Sequence, residues 1–388
     1  MEALRSKRLL AAGVLGAVLA AAGFAAWVLQ LAQGLLATTA MSNSFCWGLM
    51  IGVFAFLVGF GAGSQLVASC IVLSGKDELA PYASFAQAAA VGGAAGAAIA
   101  VIVDLGSPQN ILSMLLHPNP ASPLTWDMIA LTAFLAVALV SLVALARSWR
   151  SVRVWALLGL VAAVALQVVE GVLFAFSSAR AWWHSFIVPV DFLAVAAVCG
   201  LALVLAVSAW GKRGDALAAA RRFAGLLAVA IAVHLVLALA EIVMLAFERT
   251  PASGLVLEAI GRYAPLYAAE IVLPFLAAVV LVVSRREGSS KLLVGAAVLT
   301  AAGMFAHRLM LLYPAFTAAP LTVSLSNEAS AAWAYPQSTG LYLVTGDAFQ
   351  LAQGYAPSAV EWASILLPVG CAVLVAAVLI AVARKLRA

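Results

Sequence analysis

The sequence predicts an all-α integral membrane protein of about ten transmembrane helices, and three observations carry that expectation. Of the 388 residues, 65% are hydrophobic and 10% are charged, against roughly one-quarter charged in a soluble domain. Ten apolar runs are each long enough to cross ~30 Å of hydrocarbon at ~1.5 Å per residue. The basic residues, finally, crowd into alternate connections between those runs.

The runs fall near residues 9–33, 45–74, 82–105, 125–147, 154–178, 184–210, 223–247, 263–284, 291–313 and 361–384. With a cytoplasmic N-terminus, the inner segments hold Arg5, Lys7, Arg8, Lys76, Arg147, Arg150, Arg153, Lys212, Arg213, Arg221, Arg222, Arg285, Arg286, Lys291, Arg384, Lys385 and Arg387. Only Arg180, Arg249 and Arg262 lie outside, and Arg308 lies within a span. Every short loop then obeys the positive-inside rule, so both termini face the cytoplasm. The net charge of +5 is explained by this loop bias and calls for no nucleic-acid partner. Arg5, Lys7 and Arg8 before an apolar run resemble a signal peptide, but the run exceeds the usual h-region, and an uncleaved first helix is expected.

The whole chain, 1–388, reads as a single polytopic membrane domain in a bacterial or archaeal plasma (inner) membrane. The stretch 314–360 is an extracytoplasmic loop too rich in Ala and aromatics for a disordered tether. "VGGAAGAAIA" in the third run is a small-residue face for close helix packing. Trp47, Trp126, Trp182, Trp183 and Trp362 fall at outer boundaries and predict an aromatic belt. Cys46, Cys70, Cys199 and Cys371 are scattered, so no iron-sulfur cluster or thiolate-bound zinc is expected, and all four read as buried apolar filler.

A charge at the bilayer centre costs roughly 2.5 to 3.5 kcal/mol, so each intramembrane ionisable group is a candidate functional residue. Spans running outward carry Asp104, Glu170, His234 with Glu241, and His307 with Arg308; those running inward begin near Asp127, His184 with Asp191, Glu270 and Glu361. All lie in the outer half except His234, near mid-depth. That asymmetry favours a site opening outward over a path across the whole thickness.

Simpler roles compete for the same residues. Asp127 could cap the fourth helix, Glu241 could pair with Arg308 or another basic residue, and Glu170 and Glu270 could be bundle-facing hydrogen-bonders. His184 could be interfacial and Glu361 a helix N-terminal charge. Asp104 ends its helix, where the dipole disfavours an anion. A bis-histidine haem is not expected, because His234 and His307 differ in predicted height by ~8 Å; no metal is assigned to this chain.

Three stretches are similar to one family. "SNSFCWGLMIGVFAFLVGFGAGSQL" (42–66), "VDLGSPQNILSMLLHPNPASPLTWDMIALTAF" (103–134) and "YAPSAVEW" (355–362) resemble the NrfD, or polysulfide reductase membrane-subunit, family. Its W-G-L, L-G-R-P, S-P-L-x-W-D and Y-x-P-[ST]-x-x-E elements occur in order, with Ser107 where the family has Arg and no histidine in the first span. The resemblance implies two four-helix bundles, spans 2–5 (residues 45–178, with the quinone site) and 6–9 (184–313), plus flanking helices including the last (361–384). It implies a subunit that binds menaquinone or ubiquinone and carries no haem or iron-sulfur cluster. Electrons would be exchanged with a ferredoxin-like iron-sulfur subunit and a catalytic subunit, a molybdopterin enzyme or a multihaem cytochrome.

Under that resemblance, Asp104 and Asp127 exchange protons at the pocket; Trp47, Trp126, Glu170 and His184, at the same depth, are expected to line it. Asp191, His234, Glu241, Glu270, His307 and Arg308 form a possible proton relay. The competing expectations are a proton-translocating form of the same subunit and a secondary transporter. For the transporter, substrate binds among Asp191, Glu241, Glu270 and Arg308, and helices broken at mid-depth are required. Pro189 and Pro274 are the candidate break points, and neither is placed centrally.

Overall fold

A computed structural model of the chain describes residues 2–42, 45–177, 180–210, 214–287, 289–318, 344–345, 348–349 and 354–387. Among the described residues, ten helices are long and apolar enough to cross a membrane. They are α1 (Glu2–Gln33), α3 (Leu49–Ser74), α4 (Ala80–Asp104), α6 (Pro123–Ala146), α7 (Val152–Ala175), α8 (Ile187–Ala209), α9 (Gly214–Glu248), α11 (Ala264–Glu287), α12 (Ser290–Thr317) and α14 (Leu366–Arg387). Short helices α2 (Leu35–Thr38), α5 (Ile111–Leu116), α10 (Pro251–Arg262) and α13 (Ala359–Ser364) decorate their ends. The only strands among the described residues pair Val344–Thr345 with Ala348–Phe349. Most of the predicted 314–360 loop lies outside the described residues.

Neighbouring helices close two circuits. α3 packs on α4, α4 on α6, α6 on α7, and α7 returns to α3; α8, α9, α11 and α12 close in the same way. α8 joins the circuits by packing on α3 and α7, while α1 and α14 pair along the flank of α4. In lipid, apolar surface alone gives helices little reason to associate, so close approach of small residues decides these contacts. A Cβ on Gly93 would stand 2.8 Å from the Cα of Gly61, and one on Gly92 would stand 2.5 Å from the Ala372 carbonyl oxygen. The predicted small-residue face is therefore used twice, against α3 and α14.

The ends of the spans are built from turn chemistry. Gly106 adopts φ 62° after α4, a left-handed geometry that favours glycine. Ser122 is the N-cap of α6 and Pro123 its first residue. Asp127, the fifth helical residue, therefore does not cap α6, and the capping alternative is corrected. Glu361 does act at a helix N-terminus: it forms a capping box with Ser358. It also accepts from the Ala40 N–H at 2.9 Å and from the Tyr355 hydroxyl, which itself accepts from Leu49 N–H at 2.8 Å. This latch ties α13 to the start of α3. Gly48 is needed beside it, since a Cβ there would come within 2.8 Å of the Tyr355 ring carbon Cζ. Burial, and then the neighbouring Glu361, push the Tyr355 phenol up, keeping the donor protonated.

Two tryptophans depart from the predicted belt. Trp126 and Trp362 are about half exposed, but Trp182 and Trp183 are buried. Pro314 lies inside α12 and lacks the N–H that would bond the Met310 carbonyl, while its ring crowds the same turn. Trp182 Nε1 donates to Met310 O at 2.9 Å, and Trp183 Nε1 to Leu311 O at 2.6 Å. Unmet, such a buried acceptor costs about 1–3 kcal/mol. The cysteine expectation holds only in part: Cys199 is buried, Cys371 half-buried, and Cys46 and Cys70 exposed.

Candidate functional site

The ionisable groups gather toward one end of the helices, formed by the starts of α3, α6, α8 and α11 and the ends of α4, α7, α9 and α12. There they divide into two clusters. The first takes its carboxylates from α6 and α7. Asp127 is 5% exposed and its Oδ1 has no partner among the described residues. It is an electrostatic neighbour of Glu170, which is fully buried. Gln167 Nε2 donates to Glu170 Oε2 at 3.2 Å, leaving Glu170 Oε1 and Gln167 Oε1 unbonded.

Arg308 reaches toward this cluster from α12. Its guanidinium lies 3.8 Å over the Phe192 ring, with none of its nitrogens hydrogen-bonded among the described residues. Glu170 is within its electrostatic range. The predicted Glu241–Arg308 pair is thus corrected: Arg308 turns to Glu170 and Phe192, and the adjacent His307 points to the other cluster. Successive residues on a helix diverge by about 100°, so one helix feeds both circuits.

The second cluster takes one side chain from each helix of the second circuit. His234 Nδ1 on α9 lies 2.9 Å from Asp191 Oδ1 on α8, and His307 Nε2 on α12 lies 2.6 Å from Asp191 Oδ2. His307 Nδ1 lies 2.8 Å from Glu270 Oε1 on α11. Glu241 lines the same pocket, with Trp182 and Phe192 among its walls. The imidazoles meet edge to face with centroids 4.8 Å apart, which corrects the predicted height difference. α9 crosses from Leu217, earlier than its apolar core suggested, so each histidine sits 17 residues into its span.

The remaining predicted residues have other partners. Asp104 ends α4 with Oδ1 unbonded among the described residues and has Glu361 and Cys46 as electrostatic neighbours. His184 is exposed, its Nδ1 3.1 Å from the last carbonyl of α7 at Ala175. Trp126 is also largely exposed, its Nε1 donating to Pro120 O. Trp47 packs against Phe174, Trp183 and Phe316 at 5.9–6.1 Å. Arg180 lies 4.7 Å over Phe316, and its guanidinium pKa is lowered by burial. Gln167 and Tyr355 are partners the sequence did not single out. Gln167 was findable, since it lies one helical turn before Glu170; Tyr355 gave only its place in a motif.

Pro274 proves central, in the middle of the Ala264–Ser284 span, yet α11 continues through it. Gly303 on α12 accommodates its ring: a Cβ there would stand 2.5 Å from Pro274 Cδ.

Ten apolar helices among the described residues, with buried carboxylates and histidines between them, define a polytopic membrane protein. The sequence pattern of the family described as "Polysulphide reductase, NrfD" matches residues 37–320. The chain belongs to the NrfD family and is a multi-pass integral protein of the plasma membrane.

Among curated proteins, it is 32% identical to a putative dimethyl sulfoxide reductase membrane subunit of Halobacterium salinarum over 62% of this chain and 59% of that one. It is 27% identical to the Hdr-like menaquinol oxidoreductase integral membrane subunit of Archaeoglobus fulgidus, over 49% and 48% of the two chains. It is 22% identical to a selenate reductase subunit of Mesobacillus selenatarsenatis, over 58% and 62%. The matched stretches thus span about half to three-fifths of these relatives.

Proposed function

We propose that the protein is the quinone-binding membrane anchor of a respiratory oxidoreductase. In this reading the two circuits are two four-helix bundles, and the basic connections mark the cytoplasmic face. The clusters then lie toward the extracytoplasmic side. Oxidation of a quinol releases two electrons and two protons, so a pocket needs groups that bond the ring oxygens and accept protons. The observation that carries the reading is Asp127: a buried carboxylate in the first circuit, absolved of capping and without a partner for Oδ1 among the described residues, with Glu170 next to it. Asp127 takes the proton from the quinol hydroxyl, and Glu170 is the acid to which it passes.

Electrons go to an iron-sulfur partner docked on the same face, and from it to a catalytic subunit. The names of the relatives, each a subunit of a reductase or oxidoreductase, support a place in a multisubunit oxidoreductase. The hydrogen-bonded chain His234–Asp191–His307–Glu270 favours a second role, as a proton-holding relay in the second bundle. The transporter alternative is disfavoured by the unbroken course of α11 through Pro274.

Photolabelling with an azido-quinone tests the assignment. Labelled peptides are expected from α3, α6 or α7 near Trp47, Asp127 and Glu170, with competition by unmodified menaquinone. Label confined to residues 187–317, or not displaced by quinone, would overturn it.

A further inference from the structure

We propose that Asp191, His234 and His307 bind a first-row divalent transition-metal ion, with Glu270 as the outer carboxylate that orients His307. Each of the three offers one ligand atom, and these atoms lie within 4.8 Å of one another in the bundle interior. They come from α8, α9 and α12, three continuous helices, so the set is held by rigid elements. Two imidazoles and a carboxylate suit zinc, cobalt or iron(II) better than magnesium or calcium, which favour all-oxygen shells.

The surroundings fit an ion in two further respects. A metal-bound histidine commonly donates its other N–H to a carboxylate, which fixes the tautomer and directs the free nitrogen at the metal. His307 is arranged in this way, with Nδ1 on Glu270 and Nε2 on Asp191. Charge is the second respect. Asp191, Glu241 and Glu270 line one small pocket, while Arg308 points away toward Glu170. Glu270 Oε2 is buried without a partner among the described residues. A dication offsets carboxylates that hydrocarbon cannot solvate.

The 2.6 and 2.9 Å separations are those of shared protons. Metal–ligand bonds of ~2.0–2.2 Å need the ligand atoms several tenths of an ångström further apart. Protons and metal thus compete for one site, and metal affinity rises with pH. The inference does not depend on quinone chemistry in the first bundle.

The test uses tag-free, full-length protein in its native complex. It is incubated with Zn²⁺, washed, and assayed by elemental analysis; Co²⁺ is loaded in parallel for its visible spectrum. One retained ion per chain and cobalt bands of a nitrogen-oxygen site are expected, with both lost in the Asp191→Asn/His307→Gln double variant. Glu270→Gln, which keeps an acceptor for His307, should weaken binding about 10- to 100-fold. Failure of the folded wild-type protein to retain Zn²⁺ would overturn the proposal without reference to any variant. So would equal retention by the double variant. Quinol turnover measured in the same samples separates the conclusions: an ion bound with no effect on turnover supports the metal site and counts against the relay.

Discussion

Replacing Asp127 by Asn exchanges a carboxylate for an amide of the same shape at a site 5% exposed. Asp127 is the fifth residue of α6, past the N-cap position at Ser122, and its Oδ1 bonds nothing among the described residues, so no cap is lost. Removing a buried acid whose oxygen lacks a partner also removes a desolvation cost. Stability should therefore change by no more than about 1 kcal/mol. Proton transfer is another matter. A positioned general base contributes about 10²–10⁴-fold, or roughly 2.7–5.5 kcal/mol at 1.36 kcal/mol per decade. Oxidation of a reduced naphthoquinone by membranes carrying the assembled complex should fall by that factor, with subunit assembly and thermal midpoint preserved. Turnover within about threefold of wild type in an intact complex would refute the assignment of Asp127 as proton acceptor.

Three other perturbations probe the frame around the site. Trp182→Phe keeps the ring but leaves the Met310 carbonyl unbonded, and should lower stability by about 1–3 kcal/mol in thermal unfolding of the detergent-solubilised protein. Adding Pro314→Ala restores an N–H for that carbonyl and should recover part of the loss; additive damage would sink the clamp. Tyr355→Phe leaves Leu49 N–H and Glu361 without the hydroxyl, with a similar expected cost read by the same melt. The Glu170→Gln/Arg308→Gln double-mutant cycle should show coupling above about 0.5 kcal/mol in stability. Strict additivity would mean that Glu170 and Arg308 do not sense each other.

Much of this architecture is legible in one dimension. A bilayer demands about twenty apolar residues per crossing, so the ten runs could be counted, and their boundaries erred mainly where polar helical turns extend past the hydrocarbon. α9 is the instructive case. Its first turns carry Arg221 and Arg222, which obscured its start at Leu217 and misplaced His234 relative to His307. Capping at Glu361 was readable because its partners are local in sequence.

Helix rotation and long-range partners were not readable, because hydrophobicity in lipid-embedded helices carries little facing information: both lipid and protein neighbours are apolar. Arg308 could be placed at a depth but not aimed, and it faces Glu170 rather than Glu241. Trp182 and Trp183 read as interfacial by position, yet they turn inward because Pro314, 130 residues or more along the chain, frees carbonyls that need donors. The meeting of Asp191, His234, Glu270 and His307 belongs to the same class. Composition and depth mark each as costly to bury; only the packing of four helices shows that they offset that cost together.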